Sequence, residues 1–105
     1  MEQGLMEHFL DVSLLEPPEP FEQVLDLLPD LAAGDYLRVF HRCEPFPLYT
    51  ILVQQDFGWQ TYFDEHDMVH IFIWRSIDKP AASAAKRAGR AGNDCGWVES
   101  QYNKT

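Results

Sequence analysis

Two periodicities alternate along the first 75 residues, and their order constrains the fold more tightly than any other feature of the chain. Over residues 7–13, EHFLDVS, the side chains of His8, Leu10 and Val12 alternate with Phe9, Asp11 and Ser13, the repeat of a half-buried strand. From Pro18 the spacing changes. Phe21, Val24, Leu25, Leu28 and Leu31 recur at helical intervals, Pro29 tightens the last turn, and Gly34 is placed to end the helix in a left-handed conformation. Alternation returns over residues 35–41, with Leu37, Val39 and His41 set against Tyr36, Arg38 and Phe40. Pro47 then opens a second helix with a Leu48, Ile51 and Leu52 stripe, and Gly58 is its expected stop. Residues 59–63 and 68–75 predict two more strands joined by the acidic turn DEHD, with Val69, Ile71 and Ile73 opposing His70, Phe72 and Trp74.

The predicted order is therefore β-α-β-α-β-β. A strand-helix-strand unit crosses over in the right-handed sense, so the first two strands should lie parallel with a helix on one face. Two helices cover one face of four strands, which gives an α+β two-layer sandwich with a four-stranded mixed sheet. At 105 residues the chain has room for one domain. Its expected extent is residues 1–76. Beyond Ile77 the sequence DKPAASAAKRAGRAGNDCG is rich in Ala, Gly and small polar residues without a sustained amphipathic period. Residues 77–105 are thus expected to be a flexible tail, with at most a transient helical turn over residues 82–87.

Charge narrows the partners. Residues 1–75 carry 14 acids and three arginines, net −11, whereas residues 76–105 carry three acids and five bases, net +2. Such a domain repels phosphate backbones and anionic lipid, so neither nucleic acid nor membrane is an expected partner. No apolar run approaches the roughly 20 residues of a membrane-spanning helix, and the acidic N-terminal stretch predicts a cytoplasmic protein. There Cys43 and Cys95, far apart in sequence, are expected to be reduced thiols.

Two consequences of the expected sandwich supply candidate sites. The loops leaving the first two strands emerge at one sheet edge and each opens a helix, which makes residues 14–20 and 41–47 neighbours. Helix N-termini favour anions, thiolates and carboxylates. On the uncovered face, Phe9, Tyr36, Phe40, Phe72 and Trp74 would form an aromatic patch too large for a monomer to leave bare. A protein partner, a second copy of the chain or the tail's own GWVESQY would cover it. Stacked RNA bases fit bare aromatic strands as well, but the net charge opposes them.

The stretch LDVSLLEPPEPFEQVLDLLPDLAAGDYLRVF resembles the opening of the TusA/SirA-like superfamily of small sulfur carriers, where a strand leads into Cys-Pro-x-Pro at a helix start and a Gly-Asp turn precedes the second strand. With HRCEPFPLY and the following FGW it more closely resembles a branch of that superfamily of unknown function, over about residues 8–75. In the carriers the cysteine holds a persulfide and the helix start stabilises its thiolate. Here Pro18, Glu19 and Pro20 match Pro-x-Pro and Pro17 stands where the cysteine would be, so the resemblance does not extend to carrier chemistry at this position.

What remains is a binding edge. His41, Arg42, Pro47 and Tyr49 belong to the family-like His-x-x-x-Pro-x-Pro-Leu-Tyr stretch; with Glu16, Pro17, Glu19 and Glu44 they form an expected recognition site for a small polar ligand or a partner's anionic group. Cys43, beside Arg42 and just before the second helix, has the surroundings of an activated thiol and is the alternative, a carrier cysteine displaced across the same edge. No metal motif appears: Glu7, His8, Asp64, Glu65, His66, Asp67 and His70 have no ligand spacing, and residues 64–67 suit a solvated turn. The expectation is a non-enzymatic binding or adaptor domain without a cofactor.

Overall fold

The computed structural model describes residues 6–104. Its elements are β1 (Glu7–Asp11), α1 (Glu19–Leu27), a single 3₁₀ turn (Leu28–Asp30), β2 (Tyr36–His41), α2 (Phe46–Gln54), β3 (Phe57–Phe63), β4 (Val69–Arg75), α3 (Lys79–Asp94) and β5 (Val98–Glu99). The mixed sheet runs β1-β2-β4-β3-β5. β1 and β2 are parallel, whereas β4 is antiparallel to both β2 and β3. It follows that β1, β2 and β3 share one direction. The two crossovers through α1 and α2 therefore start from the same sheet edge and place both helices on the same face.

That face holds the larger core. Leu37, Val39, Val69, Ile71 and Ile73 from the sheet are fully buried against Val24, Leu28, Leu48 and Leu52 from the helical layer. Fully burying one such side chain contributes about 1.5–3 kcal/mol, so this layer accounts for most of the apolar driving force. Pro29 produces the expected local tightening, because α1 passes into the 3₁₀ turn there. Gly34 has φ 88° in the turn that enters β2. Gly58 differs from expectation: α2 ends at Gln54, Asp56 supplies the left-handed residue at φ 62°, and Gly58 lies within β3. Its missing side chain makes room for the Trp74 indole, whose Nε1 would stand 2.7 Å from an added Cβ.

The tail is the main correction. Residues 79–94 form a helix of 16 residues across the second face of the sheet, and residues 98–99 pair with β3. Asp78 caps the helix by accepting from the Ala81 N–H at 3.1 Å, and its other carboxylate oxygen accepts from the Gly34 N–H at 2.7 Å. The inward stripe consists of Ala81, Ala84, Ala85, Gly89 and Gly92. A hydrophobic-period reading does not register residues this small. They let the helix settle on large rings: Tyr36, Tyr62, Phe72 and Trp74 are buried beneath it, with Phe72 only 1% and Trp74 3% exposed. The partner interface expected at Tyr36, Phe72 and Trp74 is thus occupied by the chain itself. Phe40 is half-buried and Phe9 stays 56% exposed near the β1 edge.

A strap follows α3. Trp97 stacks on His70 with ring centroids 4.1 Å apart, and the Arg38 guanidinium lies over the Trp97, Phe72 and Phe9 rings. The Trp59 indole N–H donates to the Tyr102 carbonyl at 3.0 Å, and the Asn103 side chain accepts from the Thr61 N–H. No helix among the described residues is long and apolar enough to cross a membrane.

Candidate functional site

Both prolyl helix starts have the same construction. Pro18 and Pro45 occupy the position just before the helix, Pro20 and Pro47 lie in the first turn, and neither start has a side-chain cap. Proline fixes φ and removes an N–H that a helix start would otherwise leave unpaired. Other first-turn donors are used locally: the Glu19 N–H donates to the Glu16 carbonyl, Phe46 N–H to Glu44 and Leu48 N–H to Pro45. The expected anion-favouring amide ends are therefore largely filled, and apolar ring surface takes their place.

Between the two starts lies a cleft of about 250 Å³. Pro17, Pro20 and Pro47 belong to its walls, and Phe21, Val24, Val39 and Leu48 extend it down to the core. The sequence reading brought residues 14–20 and 41–47 together at one edge, and the cleft is where they meet. It did not assign Val24, Val39 or Leu48 to a site, because their spacing is that of ordinary core residues. The available signal was the recurrence of Pro-x-Pro, at Pro18–Pro20 and again at Pro45–Pro47.

His41 is the buried polar group of the cleft. It ends β2, points to the helical side with Leu37 and Val39, and is 8% exposed. Its Nδ1 accepts from the Arg42 N–H at 2.8 Å and the Cys43 N–H at 3.3 Å. Burial holds the ring below the ordinary histidine pKa, and the neighbouring Arg42 charge adds to the effect. Arg42 is engaged as well. One guanidinium nitrogen donates to the Ser13 carbonyl at 2.8 Å and the other faces Glu16 at 3.4 Å, an exposed pair of little strength. Cys43 is exposed on the same wall, with Sγ 3.9 Å from His41 Nδ1.

The remaining expected site residues divide. Glu44 reaches the cleft but spends its carboxylate on structure, accepting from the Tyr49 hydroxyl at 2.7 Å and from the Ser100 hydroxyl of the strap. Tyr49 is turned into the core, stacked on Trp59 at 4.8 Å with its hydroxyl 2.6 Å from Thr61 Oγ1. Burial and the Glu44 carboxylate both push its pKa up. Glu16 and Glu19 are exposed outside the cleft wall. The 64–67 turn is built on Asp64, which accepts from the His66 and Met68 amides and pairs with His70 Nε2 at 2.9 Å. Among the described residues no group of three or more His, Cys, Asp and Glu side chains is arranged to hold a metal ion.

No curated protein and no solved structure matches the chain. A family model described as an uncharacterized conserved protein matches residues 9–75, which take in β2, β3, β4, both prolyl helix starts and the cleft, while α3 and the strap lie beyond the match. With more than half of its length so matched, the chain belongs to the DUF2249 family of uncharacterized conserved proteins.

Proposed function

We propose that this protein is a small, non-enzymatic binding domain of TusA/SirA-like kind acting in the cytoplasm, and that the cleft between the starts of α1 and α2 receives an apolar group of a small ligand or protein partner. The observation that carries this reading is the cleft itself: an apolar recess with a buried histidine in its wall, preformed because two Pro-x-Pro segments fix its rim. The site lies beyond the carboxyl ends of parallel β1 and β2, the edge where open α/β sheets commonly hold ligands. The β-α-β-α-β-β core order and the Pro-x-Pro start of α1 support kinship with the sulfur carriers. A fragment screen read by protein-detected NMR tests the reading. Hits should perturb the amides of Val24, Val39 and Leu48 together. Hits that scatter over the surface, or gather elsewhere, would sink it.

A second reading keeps sulfur chemistry at Cys43, favoured by that thiol's exposure on the cleft wall beside His41. In it the Cys43 thiolate attacks the outer sulfur of a donor persulfide, forming a persulfide on Cys43 and releasing the donor as a thiolate. His41 Nδ1, already accepting from two backbone amides, is poorly placed to take the thiol proton. Mass spectrometry of Cys95→Ser protein incubated with a low-molecular-weight persulfide separates the two readings. One added sulfur on Cys43 favours the carrier, and an unmodified thiol the binding domain.

A further inference from the structure

Resting on the cleft as a binding site, we infer that its ligand is a small uncharged molecule with an apolar body and a carbonyl-type oxygen, the oxygen accepting a hydrogen bond from Nε2 of His41. The tautomer follows from the donors around the ring. Backbone N–H groups only donate, so the Nδ1 that receives those of Arg42 and Cys43 must present a lone pair, and the proton of the neutral ring sits on Nε2. Among the described residues Nε2 has no hydrogen-bond partner, and although His41 as a whole is more than nine-tenths buried, this atom is not shut off from solvent. A solvent-reachable donor in an otherwise apolar recess favours a ligand that brings its own acceptor, by about the net worth of one hydrogen bond.

The surroundings exclude an anion as the preferred partner. Arg42 is held by the Ser13 carbonyl and by Glu16, the Glu44 carboxylate lies in the cleft wall, and Glu19 and Glu22 occupy the first turn of α1. Of the first-turn amides that would otherwise cradle an anion, those at Pro20 and Pro47 are absent and those at Glu19, Phe46 and Leu48 are internally bonded, which leaves the single N–H of Phe21. Burial and Arg42 also keep the imidazole uncharged near neutral pH, so it acts as a hydrogen-bond donor and adds no positive charge. Size sets a further bound. At about 250 Å³ the recess falls just below the roughly 300–1,000 Å³ of drug-sized sites, which suits a single ring or a short branched chain.

Three matched probes test this: benzamide (neutral acceptor), benzoate (anionic acceptor) and toluene (no acceptor), each titrated into the full chain and followed by the amides of Val24, Val39 and Leu48. Benzamide should bind at least about tenfold tighter than the other two, one good hydrogen bond being worth about a factor of ten. His41→Phe retains the apolar wall and should bring benzamide down to the level of toluene. His41→Asn keeps an acceptor for the Arg42 and Cys43 amides while deleting Nε2, and should do the same, guarding against a folding defect in the phenylalanine variant. In wild type, long-range proton–nitrogen spectra should show the Nε2–H tautomer, with that nitrogen shifting on benzamide addition. Benzoate binding as tightly as benzamide, or a benzamide preference that survives both substitutions, overturns the ligand class while leaving the cleft reading intact. Failure of all three probes to move the cleft amides overturns both.

Discussion

Gly89→Ala is the substitution that best separates a packed α3 from a loose tail, because the two cases predict opposite signs. In an exposed helix interior, alanine is more stable than glycine by about 1 kcal/mol. At position 89 the new Cβ would stand 2.5 Å from Tyr62 Cε1 and 2.8 Å from both Cζ and Oη of that ring. Tyr62 has little room to yield: it is 2% exposed, its hydroxyl donates to Gln60 at 2.9 Å, and it meets Phe72 edge-on at 6.0 Å. Overpacking of this kind costs about 1–3 kcal/mol. Set against the propensity gain, the net is a destabilisation of up to about 2 kcal/mol, centred near 1. For a domain of this size, 1 kcal/mol lowers Tm by about 4–8 °C. The assay is thermal unfolding followed by circular dichroism at pH 7.5, with Ala91→Gly as the control. Ala91 is exposed on the same helix, so there the change to glycine should cost about 1 kcal/mol. A Tm for Gly89→Ala that is raised, as in an exposed helix, would refute the packing of α3 on the sheet.

Other outcomes follow from the same geometry. Stability should fall on acidification: His41 and His70 are both held below the ordinary histidine pKa, by burial with Arg42 at His41, and at His70 by burial and Arg38 against the opposing Asp64 and Glu65 carboxylates. The unfolded chain thus binds protons more readily, the histidine contribution is complete above about pH 6.5 and declines below it, and a Tm that rises between pH 6.5 and 5 would contradict this. Asp64 adds a second decline below its ordinary value of 3.8, because hydrogen bonds from His70, His66 and Met68 outweigh the upward push of burial. Glu44→Ala removes the acceptor shared by Tyr49 and Ser100 and should cost about 1.5–3 kcal/mol, with faster amide exchange over residues 98–104; a loss under about 0.5 kcal/mol would show that the strap is not fastened there. Asp78→Ala, which deletes the cap of α3 and the bond to the Gly34 N–H, should lower stability by about 1–2 kcal/mol in urea melts, and no change in midpoint would count against the cap.

By itself the sequence determined the core order of strands and helices. Alternation at residues 7–13, 35–41 and 68–75, and helical spacing after Pro18 and Pro47, are local properties that need no distant partner to be read. The same local order brought Pro17 and His41 to one edge, because two same-sense crossovers leave no other arrangement. Tertiary structure decided the rest. Whether the Ala and Gly stripe of residues 81–92 is a tail or a helix depends on there being large rings for it to close upon, and those rings lie on strands far away in sequence. Tyr49 and His41 carry comparable polar groups beside the same helix start, yet Glu44 and Thr61 draw the tyrosine hydroxyl into the core while the Arg42 and Cys43 amides hold the histidine in the cleft. Hydrophobic spacing records which side of an element is buried. It carries no record of which polar atom of the cleft is left without a protein partner, since that depends on donors and acceptors brought close only by folding.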